Sequence, residues 1–173
     1  MVPTQTVVHS GDGDIAVELR MFSMTSQPAL SNRSASTPPV NNVAVGAYYR
    51  IEQNGSIGLE LGQESIMQRY EVLSGERTLS IEQHWIAMWL GVAYMYEFTP
   101  LGVLMKTRPF VRVIAAGTAS GPMVRGTGGF RIPILGNVSM RIGLEGTLLL
   151  YSQDGRVFHT RKAGITAGLT FGM

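Results

Sequence analysis

Over most of this chain, apolar residues recur at every second position, and small, polar or charged residues fill the positions between. Successive side chains of a strand face opposite sides of a sheet, so a period of two predicts strands with one apolar face each. The last stretch shows the pattern most clearly. Ala163, Ile165, Ala167, Leu169, Phe171 and Met173 point one way, and Lys162, Gly164, Thr166, Gly168, Thr170 and Gly172 the other.

Eight runs of this kind fit the chain, over residues 14–25, 43–52, 57–70, 81–98, 106–116, 123–134, 138–151 and 162–173. Residues 1–13 are polar and Gly-rich and read as a flexible lead-in, leaving 14–173 as one domain. The stretch 26–42 holds Pro28, Pro38 and Pro39 and reads as a long loop with no element of its own. A second loop is expected at 72–80, around Ser74-Gly75-Glu76. Asn54-Gly55 predicts a tight hairpin, because both residues tolerate positive φ. Leu135-Gly136-Asn137 predicts another tight turn. Connections one, three, five and seven read as longer or more polar than two, four and six. An even-stranded up-and-down barrel with both termini at one end has that rhythm. The stretch 85–105 comes nearest to a membrane helix, but Gly91, Glu97, Pro100 and Gly102 interrupt it, and a strand is the better reading.

The two faces differ in charge. The face opposite the apolar one carries Glu18, Arg20, Arg50, Glu52, Glu60, Arg108, Arg112, Arg125, Arg131, Arg141, Glu145 and Lys162, together with Glu64 and Glu97. If the apolar face meets lipid, these charges point into the lumen, which in an eight-stranded barrel is just wide enough for side chains to fill. A buried charge without a partner is costly, so both signs are expected there. Gly58, Gly62, Gly143, Gly164 and Gly168 on the same face would make room for long arginines. A filled lumen argues against a pore. A soluble barrel inverts the faces, and alternation alone does not choose between the two. Three features favour the membrane: both signs of charge on one face, only two lysines (Lys106 and Lys162), and Tyr49, Tyr94, Tyr96, Phe98 and Phe171 on the apolar face near strand ends, as in an interfacial girdle.

Composition narrows the chemistry. Charged residues make up 15% of the chain, against about 25% in soluble domains, and glycines number 21. The formal charge of +2 makes no electrostatic claim on nucleic acid. Without cysteine there is no disulfide framework or thiolate metal site. The start, Met1-Val2-Pro3-Thr4-Gln5, lacks the basic and apolar regions of an export signal, so a mature chain or excised domain is expected. Gly126-Thr127-Gly128-Gly129 has no following helix or Lys, and Asp12-Gly13-Asp14 lacks the rest of a calcium loop, so no cofactor or metal is expected. The histidines are His9, His84 and His159. His84 with Glu82 is the nearest approach to a base and its orienter, and a solvated pair at the rim is the simpler reading. Trp85 and Trp89 are expected to pack.

The end of the chain resembles the closing signal of eight-stranded outer-membrane β-barrels of the OmpA/OmpX type. That signal is a polar residue, a Gly two positions on, an aromatic three further, and a second aromatic two beyond. Thr166, Gly168, Phe171 and Met173 occupy those places, with Met173 where the family has an aromatic. The strand count extends the resemblance over nearly the whole chain. It implies a bacterial outer membrane, surrounding lipid and lipopolysaccharide, insertion by the barrel-assembly machinery, and a possible envelope protein partner. It does not fix a task, because the fold hosts adhesins, lipid A enzymes, lipopolysaccharide binders and plain anchors. The sequence therefore reads as an all-β protein, an eight-stranded antiparallel up-and-down transmembrane β-barrel. Its expected role is non-enzymatic: structural, anchoring or surface-interacting. The alternatives are a lipid A-modifying barrel enzyme and a soluble lipocalin-like carrier.

Overall fold

A computed structural model of the protein describes residues 15–28, 35–37, 42–74, 77–102, 106–153 and 155–172. Its strands are β1 (Ile15–Pro28), β2 (Ala35–Thr37), β3 (Val43–Arg50), β4 (Gly55–Ser74), β5 (Arg77–Glu97), β6 (Arg108–Thr118), β7 (Gly121–Leu135), β8 (Val138–Gln153) and β9 (Arg156–Gly172). From β3 onward each strand pairs antiparallel with the next in sequence, and β1 pairs with both β3 and β9. The sheet thus closes on itself. The seam runs from Ala16↔Gly172 to Pro28↔Thr160, so the terminal alternating stretch closes the ring. Closure removes the exposed edges of an open sheet.

Both described ends of the ring, Ile15 and Gly172, lie with the connections 51–54, 98–107 and 136–137; this is the terminus end. The opposite, hairpin end carries the connections between β4 and β5, β6 and β7, and β8 and β9.

Several local expectations are corrected. The stretch 26–42 is not free of structure: β1 runs on to Pro28, and β2 pairs with Met24, Thr25 and Ser26. The physical reason is that β3 pairs with β1 only as far as Met21, which leaves the edge of β1 beyond it open to another strand. The expected loop at 72–80 is mostly strand, because β4 and β5 stay paired up to Ser74↔Arg77. Asn54-Gly55 does not form a two-residue turn with positive φ. The connection is 51–54, closed by Ile51 N–H and Glu52 N–H donating to the Gly55 carbonyl at 3.0 and 3.1 Å, and Gly55 already belongs to β4. Gly136 does take the left-handed conformation, at φ 51°, in the two-residue turn 136–137. The rhythm of connection lengths also fails, since 98–107 is longer than 119–120. What distinguishes the hairpin end is overhang. β4 passes the last β3 pairing at Gln63, and β5 begins well before its first β6 pairing at Trp89. Residues 85–97 of the most apolar stretch are strand, not helix.

Alternation then decides what each face meets. Leu19, Val45, Leu59, Leu61, Leu90, Val92, Val113, Val124, Leu144 and Ile165 are exposed on the outer wall, while Glu18, Arg20, Glu60, Glu64, Arg112, Arg125, Arg141 and Glu145 are buried inside. An apolar belt of this extent is far beyond the patches that water-soluble monomers expose. It is the reverse of a lipocalin-like barrel. At the terminus end, Tyr49, Tyr94, Phe98 and Phe171 are exposed on this wall, and Tyr96 meets Phe98 edge-on with ring centroids 5.1 Å apart.

Candidate functional site

The lumen holds the chemistry of this molecule. Period two puts Glu18 and Arg20 of β1, Glu60 and Glu64 of β4, Arg112 of β6, Arg125 of β7, Arg141 and Glu145 of β8 and Lys162 of β9 on the inner face. The antiparallel register then sets their heights. The result is a continuous ladder of alternating charge. From the hairpin end, Lys162 Nζ lies 2.9 Å from Glu64, Glu64 2.8 Å from Arg125, and Arg125 2.9 Å from Glu145. Glu145 lies 2.7 Å from Arg20, Arg20 2.6 Å from Glu60, and Glu60 3.5 Å from Arg112. Arg112 is 3.0 Å from Glu18, Glu18 2.7 Å from Arg141, Arg141 2.7 Å from Glu97, and Glu97 3.1 Å from Arg131.

Neutral groups supply part of the remaining hydrogen bonding. The Tyr48 hydroxyl donates to Glu60 and accepts from Arg112 Nη1 at 2.9 Å. Thr127 Oγ1 donates to Glu145 at 3.0 Å, and Arg141 Nη1 donates to Thr170 Oγ1 at 2.8 Å. Aromatic rings flank the cations. The Arg125 guanidinium carbon sits 4.5 Å from the Trp89 ring centroid and 4.6 Å from that of Phe22. Arg112 and Arg141 both lie against Phe110, at 5.9 and 5.8 Å. Such partners offset part of the cost of withdrawing ion pairs from water; Glu64 Oε1 and the Nε atoms of Arg112, Arg125 and Arg141 are buried without a hydrogen bond to any described residue.

The ladder does not fill the whole lumen. Toward the hairpin end, Met24, Ile66, Met123, Leu149 and Tyr151 are buried in an apolar cluster, and the Tyr151 and Phe158 rings stack with centroids 5.7 Å apart. Here β4 has lost its β3 partner, and side chains replace the missing ladder. The Ser65 N–H donates to Asn42 Oδ1 at 3.0 Å; Lys162 Nζ donates to the Ser65 carbonyl at 2.7 Å, and Thr160 Oγ1 to that of Met67 at 2.9 Å. Sequence reasoning missed Asn42 and Thr160. Neither belongs to a motif, and only the closed ring, which brings Asn42 and β9 across to β4, shows their use.

Other expected residues lie elsewhere. Glu52 is exposed in the 51–54 turn and is not in the ladder, because the chain leaves the sheet at Arg50. Arg50 and Arg108 are half-buried and line a cavity at the terminus end with Glu97, Arg131 and Arg141. The glycines serve rings and backbone rather than arginines. A Cβ on Gly58 would come within 2.5 Å of the Tyr48 ring, and one on Gly62 within 2.5 Å of the Trp89 ring. A Cβ on Gly143 would meet the Gly128 carbonyl, and one on Gly164 the Ser23 carbonyl. Thr166 Oγ1 is 3.4 Å from the Met21 carbonyl across the seam. Gly168 packs against Glu18, and Phe171 is exposed on the outer wall; Met173 lies outside the described residues. His84 and Glu82 are both exposed on the overhang of β5, and His9 lies outside the described residues.

No protein-family model and no curated protein sequence matches the chain. Solved structures do. The chain is similar to Neisserial surface protein A (NspA), with a TM-score of 0.59 and 13% identity over 93% of this chain and 98% of that one. It is also similar to the outer membrane protein OprG from Pseudomonas aeruginosa, with a TM-score of 0.51 and 8% identity over 94% of this chain and 98% of that one. At such identities the likeness speaks for the fold, which is that of the eight-stranded outer-membrane β-barrels.

Proposed function

We propose that residues 14–173 form one barrel domain of a bacterial outer membrane, without catalytic activity and with a structural, anchoring or surface-interacting role. The observation that carries this reading is the inversion of the two faces. The outer wall is an apolar belt, and the inner face is a hydrogen-bonded ladder of ion pairs. Such a wall needs lipid around it, and such a core fills the lumen instead of binding a substrate or conducting. In this reading the terminus end faces the periplasm and the hairpin end faces outward, where the β4–β5 overhang meets lipopolysaccharide or an envelope partner. Thr166, Gly168, Phe171 and Met173 serve as the signal read by the barrel-assembly machinery. Glu18, Arg20, Glu60, Arg112, Arg125, Arg141, Glu145 and Lys162 hold the closed form.

Fractionation tests location. The chain, produced behind an export signal in a Gram-negative host, should sediment with outer membranes and need detergent for extraction. A monodisperse, detergent-free monomer would refute the membrane reading. Mass analysis of lipid A after incubation with lipopolysaccharide should show no change; a mass change would replace the anchor by the lipid A-modifying enzyme.

A further inference from the structure

The lipid-facing positions of β9, taken from the terminus end, are Phe171, Leu169, Ala167, Ile165 and Ala163, all exposed and all apolar; the next is Arg161, also exposed. Arg161 stands ten positions from Phe171, which belongs to the aromatic girdle of the terminus end. At about 3.3 Å per residue and a tilt of about 40°, that is a height of roughly 25 Å, the height of the apolar band of such a barrel. Arg161 therefore marks the hairpin-side boundary of the hydrocarbon layer. A cation on this wall is costly in mid-membrane and tolerated at the boundary, where anionic headgroups lie. Its neighbours in register are Leu148 of β8 and Gln27 of β1.

Directly below Arg161 the wall is indented. One row lower in register, Gly126, Gly146, Ala163 and Thr25 lie side by side across β7, β8, β9 and β1. Leu144 and Ile165 rise on the terminus side of this floor, and Val124 and Leu148 on the hairpin side. The trough over β8 and β9 is lined by Leu144, Gly146, Ala163 and Ile165, and it joins a wider apolar depression that reaches Gly128. These glycines differ from those of the lumen. A Cβ on Gly126 or Gly128 would meet no described residue within 4 Å, and one on Gly146 only the Lys162 carbonyl at 3.8 Å. Packing within the chain does not demand their bareness, so the space belongs to whatever lies against the wall. Four strands about 4.8 Å apart make the floor about 14 Å long, close to one leaflet's share of the roughly 30 Å hydrocarbon layer.

We propose that this part of the wall seats one lipid A molecule of the outer leaflet, with a phosphate on Arg161 and an acyl chain in the apolar trough below it. The guanidinium fork takes a phosphate bidentately, and the trough takes the chain out of the disordered layer around the barrel. The proposal rests on the outward orientation of the hairpin end given above, and it adds a contact on the wall to the one at the overhang.

The test counts the lipid kept by the full chain in native mass spectra, after release from zwitterionic detergent micelles carrying equal amounts of lipid A, phosphatidylglycerol or phosphatidylcholine. Wild type should keep one lipid A in preference to either phospholipid. Arg161→Gln should weaken retention about tenfold, and dephosphorylated lipid A should bind wild type no better than lipid A binds that variant. Gly146→Leu should weaken retention by filling the trough with the charge left in place, and Gly126→Leu gives a second, independent reading. All variants should keep the heat-modifiable mobility of a folded barrel. Equal retention of lipid A and phosphatidylcholine, or variants that all behave as wild type, would overturn the proposal. A preference for phosphatidylglycerol would give the trough to a phospholipid and overturn the assignment to lipid A. Any of these results with a chain that still sediments with outer membranes sinks this site alone, whereas a detergent-free monomer sinks it together with the membrane reading.

Discussion

The middle of the lumen and its terminus-end mouth are built from the same groups, arginine and glutamate, yet they differ in kind. In the middle Arg125 touches Glu64 and Glu145 and lies between two rings, so every charge is spoken for and closed off from water. At the mouth Arg108 and Arg50 are half-buried, and Glu97, the one carboxylate among the described lining residues, is shared by Arg131 and Arg141. The difference teaches that charge inside a narrow barrel is structural where the count of signs closes. Where water reaches in, the same residues are screened and hold the fold less tightly. Screening follows the same line, since salt weakens interactions of exposed charges and leaves enclosed ones largely intact.

The largest effect should come from breaking the middle. Glu145→Leu leaves Arg20 with Glu60 alone and Arg125 with Glu64 alone, removes the acceptor of Thr127, and should cost about 3–5 kcal/mol. Urea unfolding in lipid vesicles, followed by tryptophan fluorescence, would show it. An unchanged midpoint would mean that Glu145 is not inside. Next comes a change of packing without a change of charge. Gly62→Ala pushes a methyl into the Trp89 ring that braces Arg125, and about 1–3 kcal/mol should be lost in the same assay. A neutral result would show that the ladder tolerates slack. Smaller still is Tyr48→Phe, which deletes the hydroxyl shared by Glu60 and Arg112 at a cost of about 1–2 kcal/mol. At the mouth, Arg108→Gln should leave stability within about 0.5 kcal/mol. A loss as large as that of Glu145→Leu would erase the distinction between the two regions.

The comparison also marks where sequence reasoning stopped. Period two sorted the residues onto two faces, but face is not height. Met24, Tyr151 and Leu149 share the inner face with the charges, yet they gather toward the hairpin end, in an apolar cluster that continues between the charges through Phe22, Trp89 and Phe110. Height depends on the stagger between strands, which no single run displays. The same gap explains the glycines. On the inner face they were matched to arginines, whereas Gly58 and Gly62 lie opposite Tyr48 and Trp89.

The sequence by itself determined that the chain is all strand in design, that it has eight long alternating runs, and that Glu18, Arg20, Arg112, Arg125, Arg141 and Glu145 share one face. It could do so because side-chain direction in a strand is a local property, repeated every two residues. Which charge meets which was decided only in three dimensions. Arg20 takes Glu60 from 40 positions away and Glu145 from 125. So was the bracing of β4 by Asn42, Thr160 and Lys162, and so was the sharing of Glu97 by Arg131 and Arg141 at the terminus end. These depend on ring closure and register, which belong to the whole chain and are encoded in no segment of it.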